Sequence, residues 1–229
     1  MVYIIGELCG QWGGSMDRAK TMIDECASAG LNAVKVQLWD TYKLPGDSRE
    51  RWEYLMMSKE QFLELNEYAK ARSLEFFASA FDRERFQWIC NAGLKYNKIA
   101  SSLLKWDYKL CEEMLEHSMM TFVSLGCWDN SLALPFDAKN IVYMHCVAKY
   151  PHSTEEALSL MPAEFDRNTV RGYSDHTVGI DMCKKSIDRG AQYLEVHVTT
   201  DKSLQSATEG AHVCSKDYKE LKELVKYCD

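Results

Sequence analysis

Short runs of β-branched and aromatic residues alternate along the chain with longer stretches whose apolar positions recur every three to four residues. The strand-like runs are Val2–Leu8, Ala33–Leu38, Leu74–Phe77, Tyr96–Ile99, Met120–Ser124, Ile141–Cys146, Val170–Tyr173 and Tyr193–Val198. Between the first two, Ser15 is placed to cap a helix, Ala19, Met22, Ile23, Cys26 and Ala27 form one apolar stripe, and Gly30 stops it. Comparable signals mark Ser58–Arg72, where Ser58 and Gln61 have capping-box spacing, Gly179–Arg189, which ends at Gly190, and Ser215–Tyr227.

Eight strand-then-helix repeats predict parallel βαβ units closed into a (β/α)8 TIM barrel, although spacing alone leaves an open doubly wound sheet as the alternative. One large core suits 229 residues, so residues 1–229 are read as a single domain. The fifth unit is irregular. Between Ser124 and Ile141 the polar segment with Pro135 leaves room for a turn or two, so the fifth helix is expected to be missing or stunted. The long segment Asp40–Met57, with Pro45-Gly46 and the charged Arg49-Glu50-Arg51, reads as a loop able to cover an active site.

Charge and cysteine usage narrow the picture. A net charge of −7 argues against nucleic acid or an anionic membrane as partner, because both demand a basic footprint. Nine cysteines without a CxxC pair fit reduced thiols and a cytoplasmic protein, and neither a secretory leader nor a membrane span is expected.

In barrels the chemistry sits at the carboxyl ends of the strands. The residues there are Glu7, Lys35 and Gln37, Ser79, Lys98 and Ser101, Ser124, His145 and Tyr150, Ser174-Asp175-His176, and Glu195 with His197. Lys35 and Lys98 interrupt apolar strands, where a lysine must meet an anion or a carboxylate. They are therefore candidate anion clamps, with an internal ion pair to Glu7 as the alternative. His176 and His197 stand 21 residues apart, one loop–helix–loop–strand step, which would bring them to adjacent strand ends as a metal pair, with Glu7 or Asp175 as supporting carboxylates. His117, His145, His152 and His212 are given no ligand role. Trp12, Trp39 and Trp106 line a pocket or pack, and Cys146 is read as a small buried strand residue.

The opening IIGELCGQWGGSMDRAKTMIDECASAGLNAVKVQLW, followed by FFASAFD, YNKIASS, VSLGC, MHCVAKYP, RGYSDHTVGID and LEVHVTTDKSL, resembles the catalytic barrel of the sialic acid (N-acetylneuraminate) synthase family over nearly the whole chain. The resemblance implies condensation of phosphoenolpyruvate with a sugar aldehyde, with release of phosphate. It implies a divalent metal, Mn²⁺ first and Mg²⁺ or Co²⁺ next, on His176 and His197. It further implies that Lys35, Gln37, Ser79, Lys98, Ser101, Ser124, Tyr150 and Ser174 contact substrate, with Glu7, Lys35, Lys98 and His176 catalytic. Glu7 would handle the proton of the water that adds at C2. A homodimer follows from the same likeness.

The departures concern the acceptor. Ser102-Leu103 stands where the family usually carries an acidic residue, Ala148 replaces Asn, Thr208-Glu209 replaces an Asp-His pair, and the antifreeze-like C-terminal domain is expected to be lacking. Two readings therefore stay open beside a synthase with an acceptor other than N-acetylmannosamine. One is a non-catalytic or repurposed barrel that binds a phosphorylated ligand or serves a biosynthetic complex; the other is a different metal-dependent barrel chemistry, such as a sugar-phosphate isomerase or aldolase.

Overall fold

The computed structural model describes residues 1–45, 52–117, 119–129, 133–166, 168–204 and 213–228. Eight parallel strands close into a barrel in sequence order: β1 (Tyr3–Glu7), β2 (Ala33–Leu38), β3 (Glu75–Ala80), β4 (Tyr96–Ile99), β5 (Met120–Ser124), β6 (Ile141–His145), β7 (Gly172–Asp175) and β8 (Tyr193–His197). Closure is direct, because β1 pairs with both β2 and β8.

The helices follow from local signals. The first, α1 (Met16–Ala29), starts where Ser15 accepts the amide of Arg18 and ends at Gly30, whose φ of 94° needs a residue without Cβ. Its buried stripe is Ala19, Met22, Ile23, Cys26 and Ala29. The second, α2 (Lys59–Lys70), carries the complete capping box of Ser58 and Gln61. There follow α3 (Arg83–Asn91), α4 (Ser101–Trp106), α5 (Tyr108–Leu115), α6 (Thr154–Leu160), α7 (Asp181–Asp188) and α8 (Tyr218–Cys228). Two helices thus follow β4. Among the described residues between β5 and β6 there is none, as the proline-bearing segment predicts.

Two strands differ from their expected spans by more than one residue at an end. β3 runs on through Ala78, Ser79 and Ala80, residues of weak strand preference that the ladder with Val36, Gln37 and Leu38 holds extended. β7 starts at Gly172, not at Val170. Gly172 pairs with Met144 on one side and Tyr193 on the other, and a Cβ there would lie 3.1 Å from atoms of both side chains. A close approach between three strands sets that boundary, and β-propensity does not report it. The predicted helix at Ser215 begins instead at Tyr218, because Lys216 forms a parallel bridge to Val198.

The lumen has two unlike ends. At the amino end Tyr3, Phe77, Tyr96, Phe122 and Tyr193 meet ring against ring, with centroids 5.3–6.0 Å apart. Two residues further along the same strands stand Ser79, Lys98, Ser124 and Glu195. Outside the barrel the helix stripes and the outward strand residues form one continuous apolar core, in which Trp12 packs with only 3% exposure. None of the described helices is long and apolar enough to cross a membrane.

Candidate active site

The polar end of the lumen opens into a cavity of about 90 Å³ lined by residues from seven strands or the segments that follow them. Lys35 and Gln37 come from β2, Ser79 from β3, Lys98 from β4 with Ser101 beyond it, Ser124 from β5, Tyr150 after β6, Ser174 and His176 from β7 and beyond, and Glu195 and His197 from β8. Glu7 of β1 completes the ring by contact with Lys35. Every residue singled out from the sequence as a substrate or metal contact lies on this one cavity.

The charges are buried and interlocked. The Lys35 ammonium donates to the Glu7 carboxylate and to Ser79 Oγ (3.1 Å), and lies 3.9 Å from Glu195 Oε2. Lys98 donates to Ser124 Oγ at 2.7 Å and lies 3.6 Å from the same Glu195 oxygen. Glu195 Oε1 accepts from Ser174 Oγ at 3.0 Å, whereas its Oε2 is buried and has no hydrogen-bond partner among the described residues. Glu7 Oε1 accepts the Cys9 amide at 2.8 Å, and Gln37 Nε2 reaches Glu7 Oε2 at 3.4 Å. Lys35 is thus both an internal ion pair, as the alternative reading has it, and part of the cavity wall.

The environment separates the four charges. Burial works against the charge of Lys35, but Glu195 and Glu7 outweigh it and hold the lysine above its ordinary value. Burial, then the neighbouring Lys35, pushes Lys98 below the usual lysine range in spite of Glu195. Burial pushes Glu7 up; facing two lysines, Glu195 goes down although it too is buried. Of the two carboxylates, Glu7 is the one that accepts a proton more readily, the pattern that separates an acid–base group from a fixed charge.

His176 and His197 do come together, with ring centroids 5.5 Å apart. His176 Nδ1 sits 2.6 Å from the Val147 carbonyl, a contact that places the proton on Nδ1 and turns Nε2 away as the free nitrogen. Burial holds this imidazole down to about 4, so it is neutral at pH 7, the form that binds a metal. Tyr150, which follows β6, packs its ring 4.0 Å from His176 and 5.8 Å from His197. Two neutral imidazoles are nitrogen donors of the kind a divalent transition metal takes. Among the described residues no group of three or more His, Cys, Asp or Glu side chains converges on one point.

Asp175 does not support that pair as expected. Its carboxylate is saturated from behind: Oδ2 accepts from Lys216 (2.6 Å), and Oδ1 from Tyr173 (3.0 Å) and Thr177 (2.8 Å). Lys216 is fully buried, and its ammonium also donates to the carbonyls of Thr177 (2.6 Å) and Cys214 (2.8 Å). Its backbone N–H donates to the His197 carbonyl at 2.7 Å. One lysine therefore fastens the segments that carry both histidines. Reading Lys216 as an early residue of the last helix hid it. Glu195 stands out in the sequence only as a strand-end carboxylate, because nothing in one strand shows that two lysines from others point at it.

Two of the remaining histidines keep to structural places. His145 faces away from the cavity and stacks on Tyr173, and His117 is exposed against Phe86. His212 and Thr208-Glu209 lie outside the described residues. Cys146 lines the cavity, and burial raises its thiol, which keeps it a neutral wall residue.

A second cavity, of about 360 Å³, lies against the first and shares Gln37, Phe81, Ser102 and Tyr150 with it. Its other walls are apolar, with Trp39, Trp52 and Trp106 prominent. Leu44 and Trp52, at the ends of the described parts of the predicted covering loop, contribute to it; residues 46–51 lie outside the description.

Known proteins share this sequence and architecture. The chain is 29% identical to an uncharacterized protein of Methanocaldococcus jannaschii, over 97% of this chain and 68% of that one. It is 28% identical to the N-acetylneuraminate-9-phosphate synthase of Drosophila melanogaster, over 97% of this chain and 66% of that one. The chain thus spans about two thirds of the length of the curated relatives it matches. Among solved structures, the N-acetylneuraminic acid synthetase of Leptospira borgpetersenii in complex with citrate superposes with a TM-score of 0.84 at 26% identity, covering 99% of this chain and 82% of that one. The model of the NeuB family matches residues 22–229, and the chain belongs to that family.

Proposed function

We propose that the chain condenses phosphoenolpyruvate with a sugar aldehyde to give a 2-keto sugar acid and inorganic phosphate. The observation that carries this reading is the pair Lys35 and Lys98, buried at the cavity floor with hydroxyls from Ser79, Ser124 and Ser174 around them. A small ligand with a carboxylate and a phosphate needs two buried cations surrounded by neutral donors. Ser101, Gln37 and Tyr150 complete the wall toward the second reactant.

In the reaction C3 of phosphoenolpyruvate forms a bond to the aldehyde carbon, and the aldehyde oxygen takes up a proton to become a hydroxyl. Water adds at C2 and gives up a proton; the C2–oxygen bond to phosphate then breaks, leaving a ketone. The sum is phosphoenolpyruvate, aldehyde and water in, keto acid and phosphate out. Lys35 and Lys98 hold the donor, Glu195 keeps both ammonium groups aimed at it, and Glu7, the more readily protonated carboxylate, holds the water's proton. His176 and His197 would hold a divalent cation, Mn²⁺ first. Such an ion would supply Lewis acidity beside the aldehyde oxygen. Imidazole ligands with open positions suit Mn²⁺ or Co²⁺ and, less well, Mg²⁺.

A second reading, a barrel that binds a phosphorylated ligand without turnover, draws on one observation. The two lysines already face two carboxylates, so an arriving anion has to compete. The test is phosphate release from phosphoenolpyruvate with Mn²⁺ across N-acylated hexosamines, their 6-phosphates and shorter aldoses, with mass detection. Acceptor-dependent phosphate and a product three carbons longer than the aldose are expected. Binding of phosphoenolpyruvate without any such product would establish the second reading.

A further inference from the structure

Lys35 and Lys98 face the polar cavity; Lys216 lies behind it. The Lys216 and Asp175 side chains are 0% exposed, and neither residue lines the cavity. The Lys216 ammonium has three N–H groups and three oxygens to take them: Asp175 Oδ2 at 2.6 Å, the Thr177 carbonyl at 2.6 Å and the Cys214 carbonyl at 2.8 Å. One carboxylate and two main-chain carbonyls converging on a point form the oxygen shell of a small dehydrated cation. The shell asks for a compact positive charge, and the planar fork of an arginine would not place three oxygens around one nitrogen. Asp175 is steadied from its other side, where Tyr173 and Thr177 donate to Oδ1 at 3.0 and 2.8 Å.

What this cation holds is specific. His176 stands between Asp175 and Thr177, so the ammonium grips the residue on either side of it. The β7–β8 ladder ends at Asp175, one residue short of His176. His197 ends β8, and its carbonyl accepts the Lys216 backbone N–H at 2.7 Å, while the Thr199 N–H donates to the Lys216 carbonyl at 2.9 Å. The other ties of His176 run to the segment after β6: Nδ1 to the Val147 carbonyl, and its own carbonyl to the His152 N–H at 3.1 Å. Beyond the ladder, it is Lys216 that joins the His176 segment to the His197 segment, by its main chain on one side and its ammonium on the other. A buried ion pair is seldom the most stable filling for its space, since apolar residues of similar volume often do as well or better.

Taking those histidines as the metal ligands proposed above, we infer that Lys216 serves as a resident monovalent cation, a positioning residue that sets the spacing of His176 and His197 without touching metal or substrate. Its ammonium fills a site that ammonium itself, or a small alkylammonium, should occupy once the lysine side chain is removed.

The test uses the full chain as wild type, as Lys216→Ala and as the double variant Asp175→Asn/Lys216→Met. Lys216→Ala should unfold at lower urea than wild type. Ammonium or methylammonium chloride should move its midpoint back, and tetramethylammonium chloride at equal ionic strength should not, after the wild-type shift in each salt is subtracted. An equal response to the small and the large cation, or none, would overturn the cation site. Ammonium should also restore the Mn²⁺ affinity that Lys216→Ala loses, read by paramagnetic resonance.

The double variant removes both charges at similar volume, so its urea midpoint should stay near that of wild type. Its Mn²⁺ affinity should nonetheless be about 10–100-fold weaker, an effect that a purely structural lysine would not produce. Wild-type Mn²⁺ affinity in the folded double variant would overturn the positioning role. A wild-type chain that binds no Mn²⁺ would sink the metal reading instead, and the cation site would then stand or fall on the ammonium rescue of stability.

Discussion

The two ends of the lumen are made from the same strands and differ by one step of the strand repeat. Phe77 precedes Ser79, Tyr96 precedes Lys98, Phe122 precedes Ser124, and Tyr193 precedes Glu195, each by two residues along the same inward row. The first member of each pair is a ring that packs with its neighbours; the second is a hydroxyl or a charge that needs a partner. The amino end can be filled with apolar volume because nothing has to enter. The carboxyl end keeps two lysines and two carboxylates buried, a poor way to gain stability and a good way to hold an anion. Stability and chemistry thus occupy separate layers of one lumen, and substitutions should sort by layer.

The largest effect on folding is expected in the plug. Phe122→Ala removes a ring that touches Phe77, Tyr96 and Tyr193 and should cost about 3–5 kcal/mol in urea unfolding, while the folded fraction binds phosphoenolpyruvate as before. An altered donor affinity would show that the layers are coupled. Lys216→Ala should cross the boundary: it leaves Asp175 buried and unpaired, at about 3–5 kcal/mol. Because Lys216 also fastens the histidine segments, Mn²⁺ binding, followed by paramagnetic resonance, should weaken about 10–100-fold. Unchanged Mn²⁺ affinity would confine Lys216 to stability.

Lys35→Ala should weaken phosphoenolpyruvate binding in calorimetry by about 2–5 kcal/mol, since it removes one of two buried cations. Normal turnover in that variant would remove the donor cradle from consideration. Ser124→Ala takes a single hydrogen bond from the Lys98 ammonium and should cost about 1.5–3 kcal/mol at most. The smallest effect is in protons. Burial raises Glu7 and lowers Lys98, so an arriving anion should favour a proton on each, and affinity should fall as pH rises through the depressed range of Lys98. Calorimetry in buffers of different ionisation enthalpy should show a net proton uptake on binding, about one proton at most for each of the two groups; proton release would reverse the assignment of Glu7.

Much of this is legible in the sequence. Short β-branched and aromatic runs mark all eight strands, and the rule that chemistry sits at strand ends gathers Glu7, Lys35, Gln37, Ser79, Lys98, Ser101, Ser124, His145, Tyr150, Ser174, Asp175, His176, Glu195 and His197 into one set. All but His145, which stacks on Tyr173, and Asp175, which Lys216 holds from behind, line the polar cavity or touch a residue that does. What escaped did so for physical reasons. Ser79 and Ala80 have little strand preference of their own, and Gly172 marks a strand start through a steric fit between Met144 and Tyr193.

The sequence by itself determined the order of the strands and helices and which polar residues end each strand, because β-branched runs, helix caps and stop glycines are local properties. Only the tertiary structure decided the partners. Glu195 belongs with Lys35 and Lys98 because parallel ladders set the stagger of β2, β4 and β8. Lys216 meets Asp175 across 41 residues because the segment after β8 folds back over β7. The three tryptophans share a wall because loops of unrelated sequence end over the same mouth. Contacts between distant segments depend on register and loop course, which no short stretch of chain encodes.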